Sequence, residues 1–404
     1  MLNEVNRYVA DKRLEMLEAG KKPDRDDFEK LEKEKRKLAR KFADRIAAIK
    51  EPTPDDYYCM VFLYDISEEY DKAFEAARAY LSLDHQYTEV EKLQSVKRGL
   101  VILSSRTKNL DVMEQAFEDW QKVETRPAEK RELEYNMAIG FYKGNEYEKA
   151  IKYAESAFRD AKDAPSKTLA EKSYKDKFYG DLVEILSLSY RKADRKDDAL
   201  EILAESRAMS FSIPSAKLYR RVMQLVEGFG ISEKKLMEKV ESFDTSDQAP
   251  ELEIKEWLGQ EPTTLENLRG KVILLDFWAT WCGPCISTFP RLRNWQEKYA
   301  DEGFVIIGVT RYWGRGDQRP MTPLQEYDFL GDFKKKHKLP YGFAISNGSP
   351  MDQYGVDAYP TTILIDRRGV IRYIGIGAGR EENANLGDMI KKVVRETGPL
   401  EAKK

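Results

Sequence analysis

Two rhythms of apolar and polar positions divide the chain. Up to about residue 240, apolar side chains recur at three- and four-residue steps, as in Phe28, Leu31, Leu38, Phe42 and Ile46. That period belongs to helices with one buried stripe. Glycine is sparse in this region and no segment alternates apolar with polar, so helix is predicted nearly throughout. The polar stretch Asp244-Thr245-Ser246-Asp247-Gln248-Ala249-Pro250 breaks the pattern, and 241–262 is expected to be a linker and entry segment. Strand-length apolar runs then appear at Val272–Phe277, Phe304–Thr310, Thr361–Asp366 and Val370–Ile376. Helical patterns lie between Pro284 and Tyr299, between Leu324 and Lys338, and from Asn385 to Arg395. Strands interleaved with helices predict an α/β domain around a central sheet. The expected architecture is multidomain: an all-α region over 1–240, the linker, and an α/β domain over 263–404.

Within the helical half a motif recurs. Glu69-Tyr70-Asp71-Lys72-Ala73, Glu146-Tyr147-Glu148-Lys149-Ala150 and the weaker Arg195-Lys196-Asp197-Asp198-Ala199 each open a helical pattern after a preceding helix. The segment from Ala138 to Ile151 resembles a tetratricopeptide repeat, with Ala138, Ala150 and Ala157 where that repeat needs small side chains for a close helix crossing. The spacing of the copies is irregular, so the region is expected to be a TPR-like array, with a plain helical bundle as the alternative. The charge run Lys30–Lys41 fits a solvated helix face.

Composition narrows the function classes. The 68 basic and 71 acidic residues nearly cancel, leaving a net charge of −3, which gives no electrostatic basis for a nucleic-acid or anionic-membrane partner. The most apolar stretch, Val272 to Trp281, is about half a membrane span and contains Asp276. No membrane span is therefore expected. The opening residues, Met1-Leu2-Asn3-Glu4-Val5-Asn6-Arg7, lack the charged-then-apolar order of a signal peptide. A cytoplasmic chain and a processed extracytoplasmic one both fit that start. The three cysteines are Cys59, Cys282 and Cys285, too few for a disulfide-stapled scaffold. With two histidines, His85 and His337, they offer no metal spacing. Cys59, within the apolar Tyr57-Tyr58-Cys59-Met60-Val61-Phe62, is expected to be a buried structural thiol.

The chemistry concentrates in Trp281-Cys282-Gly283-Pro284-Cys285. A thiolate, not a thiol, attacks a disulfide. A two-residue spacer on the first turn of a helix places one cysteine where backbone N–H groups and the helix dipole favour its thiolate. The second cysteine then lies one turn on, within reach of the first sulfur. Pro284 costs little there, because its missing N–H would have no helical partner. A lone peroxidatic cysteine in a Pro-x-x-x-Thr/Ser-x-x-Cys setting is absent, which disfavours peroxiredoxin chemistry. No cofactor beyond the Cys282–Cys285 dithiol is expected, and no metal.

The run from Gly270 to Cys285 resembles the signature of thioredoxin-fold oxidoreductases, most closely the TlpA/ResA-like branch, and the resemblance extends over about residues 247–397. Pro290 falls where that family's helix is kinked, Tyr359-Pro360-Thr361-Thr362 where its cis-proline precedes a strand, and Gly377 at its glycine after the last strand. The resemblance implies roles. Cys282 is the nucleophile and Cys285 the resolving thiol. Asp276 is the buried acid that serves as general base for Cys285, its carboxyl raised by burial. Pro360 stands against the disulfide, the Tyr359 backbone pairs with an extended substrate segment, and Trp281 forms a wall of the groove. Two departures accompany it. Some ResA-like members carry a glutamate at the place held here by Thr288, and lack the strand acid, so ResA-type haem-maturation specificity is not expected. The long interval from Cys282 to Pro360 holds an extra strand and helix and the basic, aromatic loop Arg311–Pro320, a candidate contact for a substrate or for the helical region.

The expectation is a thiol-disulfide oxidoreductase that reduces or exchanges the disulfides of partner proteins, re-reduced by an unidentified thiol donor, with a protein partner recruited on the helices. The Cys-Gly-Pro-Cys sequence resembles reducing thioredoxins and favours the reductase direction. Such relatives usually work outside the bacterial cytoplasm, which makes that the expected compartment. The rival class is a TPR-type adaptor or holdase whose thioredoxin fold turns over little.

Overall fold

The structure is a computed structural model. It describes all residues except 22, 85–88, 124–125, 164–167, 241–247, 317–318 and 397–404. His85, part of the expected linker and the tip of the 311–320 loop lie outside the described residues. The chain groups into two compact units, one of Met1–Lys162 with Lys192–Asp194, the other of Asp163–Arg191 with Arg195–Lys404.

The first unit is helical: α1 (Leu2–Glu18), α2 (Arg25–Ala47), α3 (Pro54–Ile66), α4 (Tyr70–Leu81), α5 (Val90–Thr107), α6 (Leu110–Gln121), α7 (Pro127–Lys143) and α8 (Tyr147–Asp163). Each helix from α1 to α6 packs on its successor, and α7 packs on both α5 and α6. Capping boxes at Asp24 and Thr53 start α2 and α3, where a side-chain oxygen satisfies an otherwise unpaired first-turn N–H. Ala138, Ala150 and Ala157 are fully buried. At Gly140 even a methyl group would meet Ser105 Oγ at 2.8 Å and Met113 Sδ at 3.0 Å, so α7 approaches α5 and α6 more closely than alanine permits.

The turns explain the irregular repeat. Glu68, Lys108, Asn145 and Asp194 all take positive φ, near 60°. The next residue's N–H then bonds back to a carbonyl of the last helical turn: Glu69 to Tyr64, Asn109 to Ser104, Glu146 to Phe141 and Arg195 to Tyr190, at 2.8–3.0 Å. This is a left-handed helix stop of the Schellman type. The turn at Lys108-Asn109-Leu110-Asp111 is a fourth copy that the sequence motif missed, because Met113 stands where the others carry alanine.

The second unit holds α9 (Leu169–Lys192), α10 (Lys196–Ser212), α11 (Ala216–Gly228) and α12 (Glu233–Val240), then the strands β1 (Ile254–Leu258), β2 (Val272–Phe277), β3 (Phe304–Arg311), β4 (Arg315–Gly316), β5 (Arg319–Pro320), β6 (Gly342–Ser346), β7 (Thr361–Ile365) and β8 (Ile371–Ile376). Among them run α13 (Gly283–Tyr299), α14 (Pro323–Lys336), α15 (Ser349–Gln353) and α16 (Arg380–Arg395). The main sheet has the order β1-β6-β3-β2-β7-β8, and β4 pairs with β5 alone. Strands β2, β3 and β6 are parallel neighbours; β1, β7 and β8 join antiparallel. The chain is thus an all-α region plus an α/β domain with a mixed sheet. Strand β1 arises inside the segment read as linker, its short half-polar run too weak to register as a strand. Strand β6 is five residues long and equally faint in the sequence.

Every residue of β2 is buried, and the pleat sorts them. Val272 and Leu274 join Trp278, Cys285, Phe289, Leu330, Phe333 and Ile390 on one face. Ile273, Leu275 and Phe277 join Val309, Ile363, Ile374 and Tyr354 on the other. Helices α13, α14 and α16 supply the first face. The second face has only the five-residue α15 among the later helices, and Phe211 and Ala216 of α10 and α11 complete it. Helix α12 ends at Val240, and the first strand begins at Ile254. The compact grouping nonetheless places α9 to α12 with the sheet, and α10 and α11 lend Phe211 and Ala216 as cover for that apolar face.

Candidate functional site

Strand β2 delivers the chain to the start of α13. Cys282 is the N-cap of that helix, in extended backbone, and its sulfur accepts the Cys285 N–H at 3.2 Å. Cys282 and Cys285 form a disulfide. Cys285 is fully buried, and the Cys282 sulfur is the outer of the pair, in a residue 5% exposed. Gly283 is exposed, and a side chain there would meet nothing within 4 Å beyond its chain neighbours. Pro284 occupies the first helical turn, and Pro290 lies inside the helix, where it removes one backbone bond. Ser287 and Thr288 donate to the Pro284 and Cys285 carbonyls at 2.6 and 2.7 Å. Thr288 is therefore a local helix partner and carries no charge toward the cysteines.

Asp276 sits in β2 opposite Gly308 of β3 and Thr362 of β7. The alternation of the strand sends it to the face that holds Cys285. It is 1% exposed, and neither carboxylate oxygen has a protein hydrogen-bond partner. Burial alone pushes its carboxyl up to about 7, since desolvation disfavours the charged form. Tyr341, also buried with its hydroxyl unpartnered, is raised well above an ordinary phenol by burial and then by the charge of Asp276. Sequence reasoning missed Tyr341, which no motif marks.

The Tyr359–Pro360 peptide bond is cis. The Pro360 carbonyl accepts the N–H of Gly377 at 2.8 Å, and Gly377 takes φ +96°, a conformation that favours glycine. The tyrosine ring lies 6.1 Å from Trp281 and 5.9 Å from Trp313, and the two tryptophans are 5.1 Å apart, all edge to face. Trp281 is 49% exposed. The site thus brings together Trp281, Cys282, Cys285 and Tyr359, and adds Trp313, which the sequence offered only as part of a loop. That loop is held by a residue the sequence did not single out. The fully buried Glu326 of α14 accepts the N–H groups of Trp313 and Gly314, both at 2.8 Å.

The segment that leads to the cis proline is tied to α11. Its first N–H groups, at Ala216 and Lys217, donate to the Tyr354 and Gly355 carbonyls at 2.9 Å each, and Arg220 pairs with Asp357. Elsewhere, His337 packs against Phe289 and Phe333, with its imidazole pushed down by burial. Cys59 is half-buried rather than buried, and burial raises its thiol. Among the described residues no cluster of histidine, cysteine and acid is arranged to hold a metal, and no helix is long and apolar enough to cross a membrane.

A mixed sheet with a first-turn CxxC disulfide and a cis-proline turn beside it defines a thioredoxin-type redox domain. The family profile described as Redoxin matches residues 244–390. The chain is 31% identical over 130 residues to the thioredoxin-like protein YneN of Bacillus subtilis, a match covering 32% of this chain and 70% of that protein. It is 30% identical over 139 residues to the thiol-disulfide oxidoreductase ResA of Oceanobacillus iheyensis, over 34% and 67% of the two chains. A solved structure titled as a putative thiol:disulfide interchange protein DsbE from Chlorobium tepidum is 27% identical, with 38% of this chain and 99% of that one covered and a TM-score of 0.32. The chain belongs to the thioredoxin-like thiol-disulfide oxidoreductases, with its Redoxin region at the C-terminal end.

Proposed function

We propose that this protein reduces or exchanges disulfides of partner proteins, with Cys282 as nucleophile and Cys285 as resolving thiol. The observation that carries the reading is the disulfide between the N-cap and first-turn cysteines of α13, with the Cys285 N–H aimed at the Cys282 sulfur. In the reduced protein the Cys282 thiolate attacks one sulfur of a substrate cystine and releases the other as a thiolate. Cys285 loses its proton to Asp276, attacks the Cys282 sulfur of the mixed disulfide and releases the second substrate thiol. The protein is left as the disulfide, two electrons having passed to the substrate, and a thiol donor restores the dithiol. Asp276 suits the proton step because a carboxyl near 7 accepts and returns a proton at neutral pH. Pro360 and Tyr359 frame the substrate segment, with Trp281 as its wall. No hydrogen bond within the described residues engages the Tyr359 backbone, which leaves it available for strand-type pairing. The proposed workplace lies outside the cytoplasm, where protein cystines form and persist. The helical array is the proposed recruiter of protein partners.

Insulin reduction driven by dithiothreitol tests the reading. Cys282→Ser is expected to abolish it, and Cys285→Ser to accumulate mixed disulfides that dithiothreitol releases. Intact reduction by Cys282→Ser sinks the enzyme reading, and equal partner capture by the Cys282→Ser/Cys285→Ser double variant supports the adaptor instead.

A further inference from the structure

The loop after β3 places positive charge beside the aromatic rim of the disulfide. The Arg311 guanidinium lies 4.1 Å over the Trp313 ring, and Arg315 lies 5.7 Å over Trp281. Stacking on an aromatic face holds a guanidinium in place yet leaves its N–H donors for other acceptors. Among the described residues none of Arg311, Arg315 and Arg319 makes an ion pair with a carboxylate, whereas arginines such as Arg40, Arg98, Arg106, Arg220, Arg221 and Arg372 do. Arg315 and Arg319 are exposed, and the short β4–β5 pairing joins their two strands, Gly316 opposite Arg319. The Met321 N–H closes the base of this hairpin on the Gly314 carbonyl at 2.9 Å. The arm is anchored as well as charged, because Glu326 grips its first two turn N–H groups with a buried carboxylate. Burial raises the phenol of Tyr359, next to the cis proline, and the nearby charge of Arg311 opposes that rise. Against a chain with nearly balanced charge, two unpaired arginines stacked on the rim of a reactive disulfide, Arg311 and Arg315, form a local excess.

We propose that this arm selects the substrate: the cystine it favours lies in an extended segment with aspartate or glutamate side chains flanking the reactive cysteine. The carboxylates meet Arg315 and Arg311 in charge-assisted, fork-shaped hydrogen bonds. The segment's backbone runs along Tyr359, and Trp281, Trp313 and Tyr359 cover its apolar atoms. Glu326 is the positioning residue that keeps the arm over the disulfide. The inference rests on the thiol-exchange reading for its rate test but not for its binding test.

The experiment uses three synthetic peptides of equal length, each with one cystine to a small neutral thiol and flanked by glutamates, glutamines or lysines. Stopped-flow tryptophan fluorescence of the reduced full-length chain gives kcat/KM for each. The expected order is Glu, Gln, Lys, with the Glu peptide at least about tenfold ahead of Gln at low salt and the gap narrowing as salt rises. Arg315→Glu, a change at an exposed side chain, is expected to invert the order, and Arg311→Gln/Arg315→Gln to flatten it. Binding of the same peptides, with serine in place of cysteine, to the Cys282→Ser/Cys285→Ser variant gives a second readout that needs no turnover. Tighter binding of the Glu peptide, lost in Arg315→Glu, supports the arm even where the redox reading fails. Equal affinities for Glu and Gln peptides, or an order unchanged by Arg315→Glu, overturn it.

Discussion

The two faces of the sheet are built from alternate residues of the same strands, yet they do different work. On one, β2 places Val272, Leu274 and Asp276 under α13, and the buried acid lies on the side that holds Cys285. On the other, it places Ile273, Leu275 and Phe277 in a cluster of aliphatic and aromatic side chains, with Phe211 and Ala216 contributed from residues before the Redoxin region. The chemical face tolerates an orphaned carboxylate at a cost in stability. The structural face is closed by helices that the redox region does not itself encode. Function and cover have therefore been assigned to opposite sides of one sheet, and each can be disturbed without the other.

The largest disturbance is removal of the cover. A chain beginning at residue 241 lacks α10 and α11 and exposes Ile374, Ile363, Leu275 and their neighbours. Burial of such side chains is worth about 1.5–3 kcal/mol each, a sum that exceeds the usual stability of a domain. It is expected to be recovered as aggregate or to bind a hydrophobic dye without cooperative melting. A chain beginning at residue 163 keeps α9 to α12 and is expected to melt cooperatively and to retain insulin reduction. Circular dichroism melts of the two fragments decide the matter. A soluble, cooperative and active fragment from 241 shows that α10 and α11 are dispensable.

The chemical face is tested by Asp276→Asn. A carboxyl held at about 7 rather than at its ordinary 3.8 represents about 4 kcal/mol of penalty on the charged form. The sign follows from proton counts. Between pH 4 and 7 the folded chain keeps a proton that the unfolded chain has lost, so stability falls as pH rises and reaches its floor above 7. Asp276→Asn removes that fall. The two proteins are expected to be similar near pH 4 and to diverge up to pH 7, the variant becoming more stable by at most about 4 kcal/mol. Meanwhile its single-turnover resolution of the mixed disulfide slows and loses its rise through pH 7. A stability difference that does not vary with pH across this window contradicts the assignment of Asp276 as the raised acid.

Much of this was legible in the sequence because the signals were local. The uninterrupted apolar run of β2, the Cys-Gly-Pro-Cys turn and the Tyr359-Pro360 pair each write their geometry into neighbouring residues. So do the helices, by their period. The unread features are products of distance along the chain. Strand β1 is recognisable only by its pairing with β6, some ninety residues later. Glu326 looks like any first-turn acid until the loop at Trp313 and Gly314 folds onto it. The assignment of α10 and α11 to the sheet depends on a face left bare by other helices, and no residue of α10 announces that. The fourth helix turn was hidden for a simpler reason. Its backbone conformation repeats at Lys108, but its side chains do not repeat the motif.

The finest contrast between the faces lies where they meet, at the segment that leaves the structural face and reaches the cis proline. Helix α11 grips Tyr354 and Gly355 by backbone bonds, and Arg220 adds an ion pair to Asp357, two residues before Tyr359. Both ends of the pair are about one-third exposed, so its direct contribution to stability is at most about 1 kcal/mol. Arg220→Ala is therefore expected to lower the melting temperature by no more than about 2–4 °C. If the pair also sets the position of Tyr359, KM for a protein cystine rises about twofold, equivalent to some 0.4 kcal/mol, while kcat stays put. Arg220→Lys keeps the charge and is expected to restore most of KM. An Arg220→Ala protein with the lower melting temperature and an unchanged KM confines this ion pair to the structural face, and leaves the link to the chemistry to the backbone bonds from Ala216 and Lys217 and to the packing of Tyr359 against both faces.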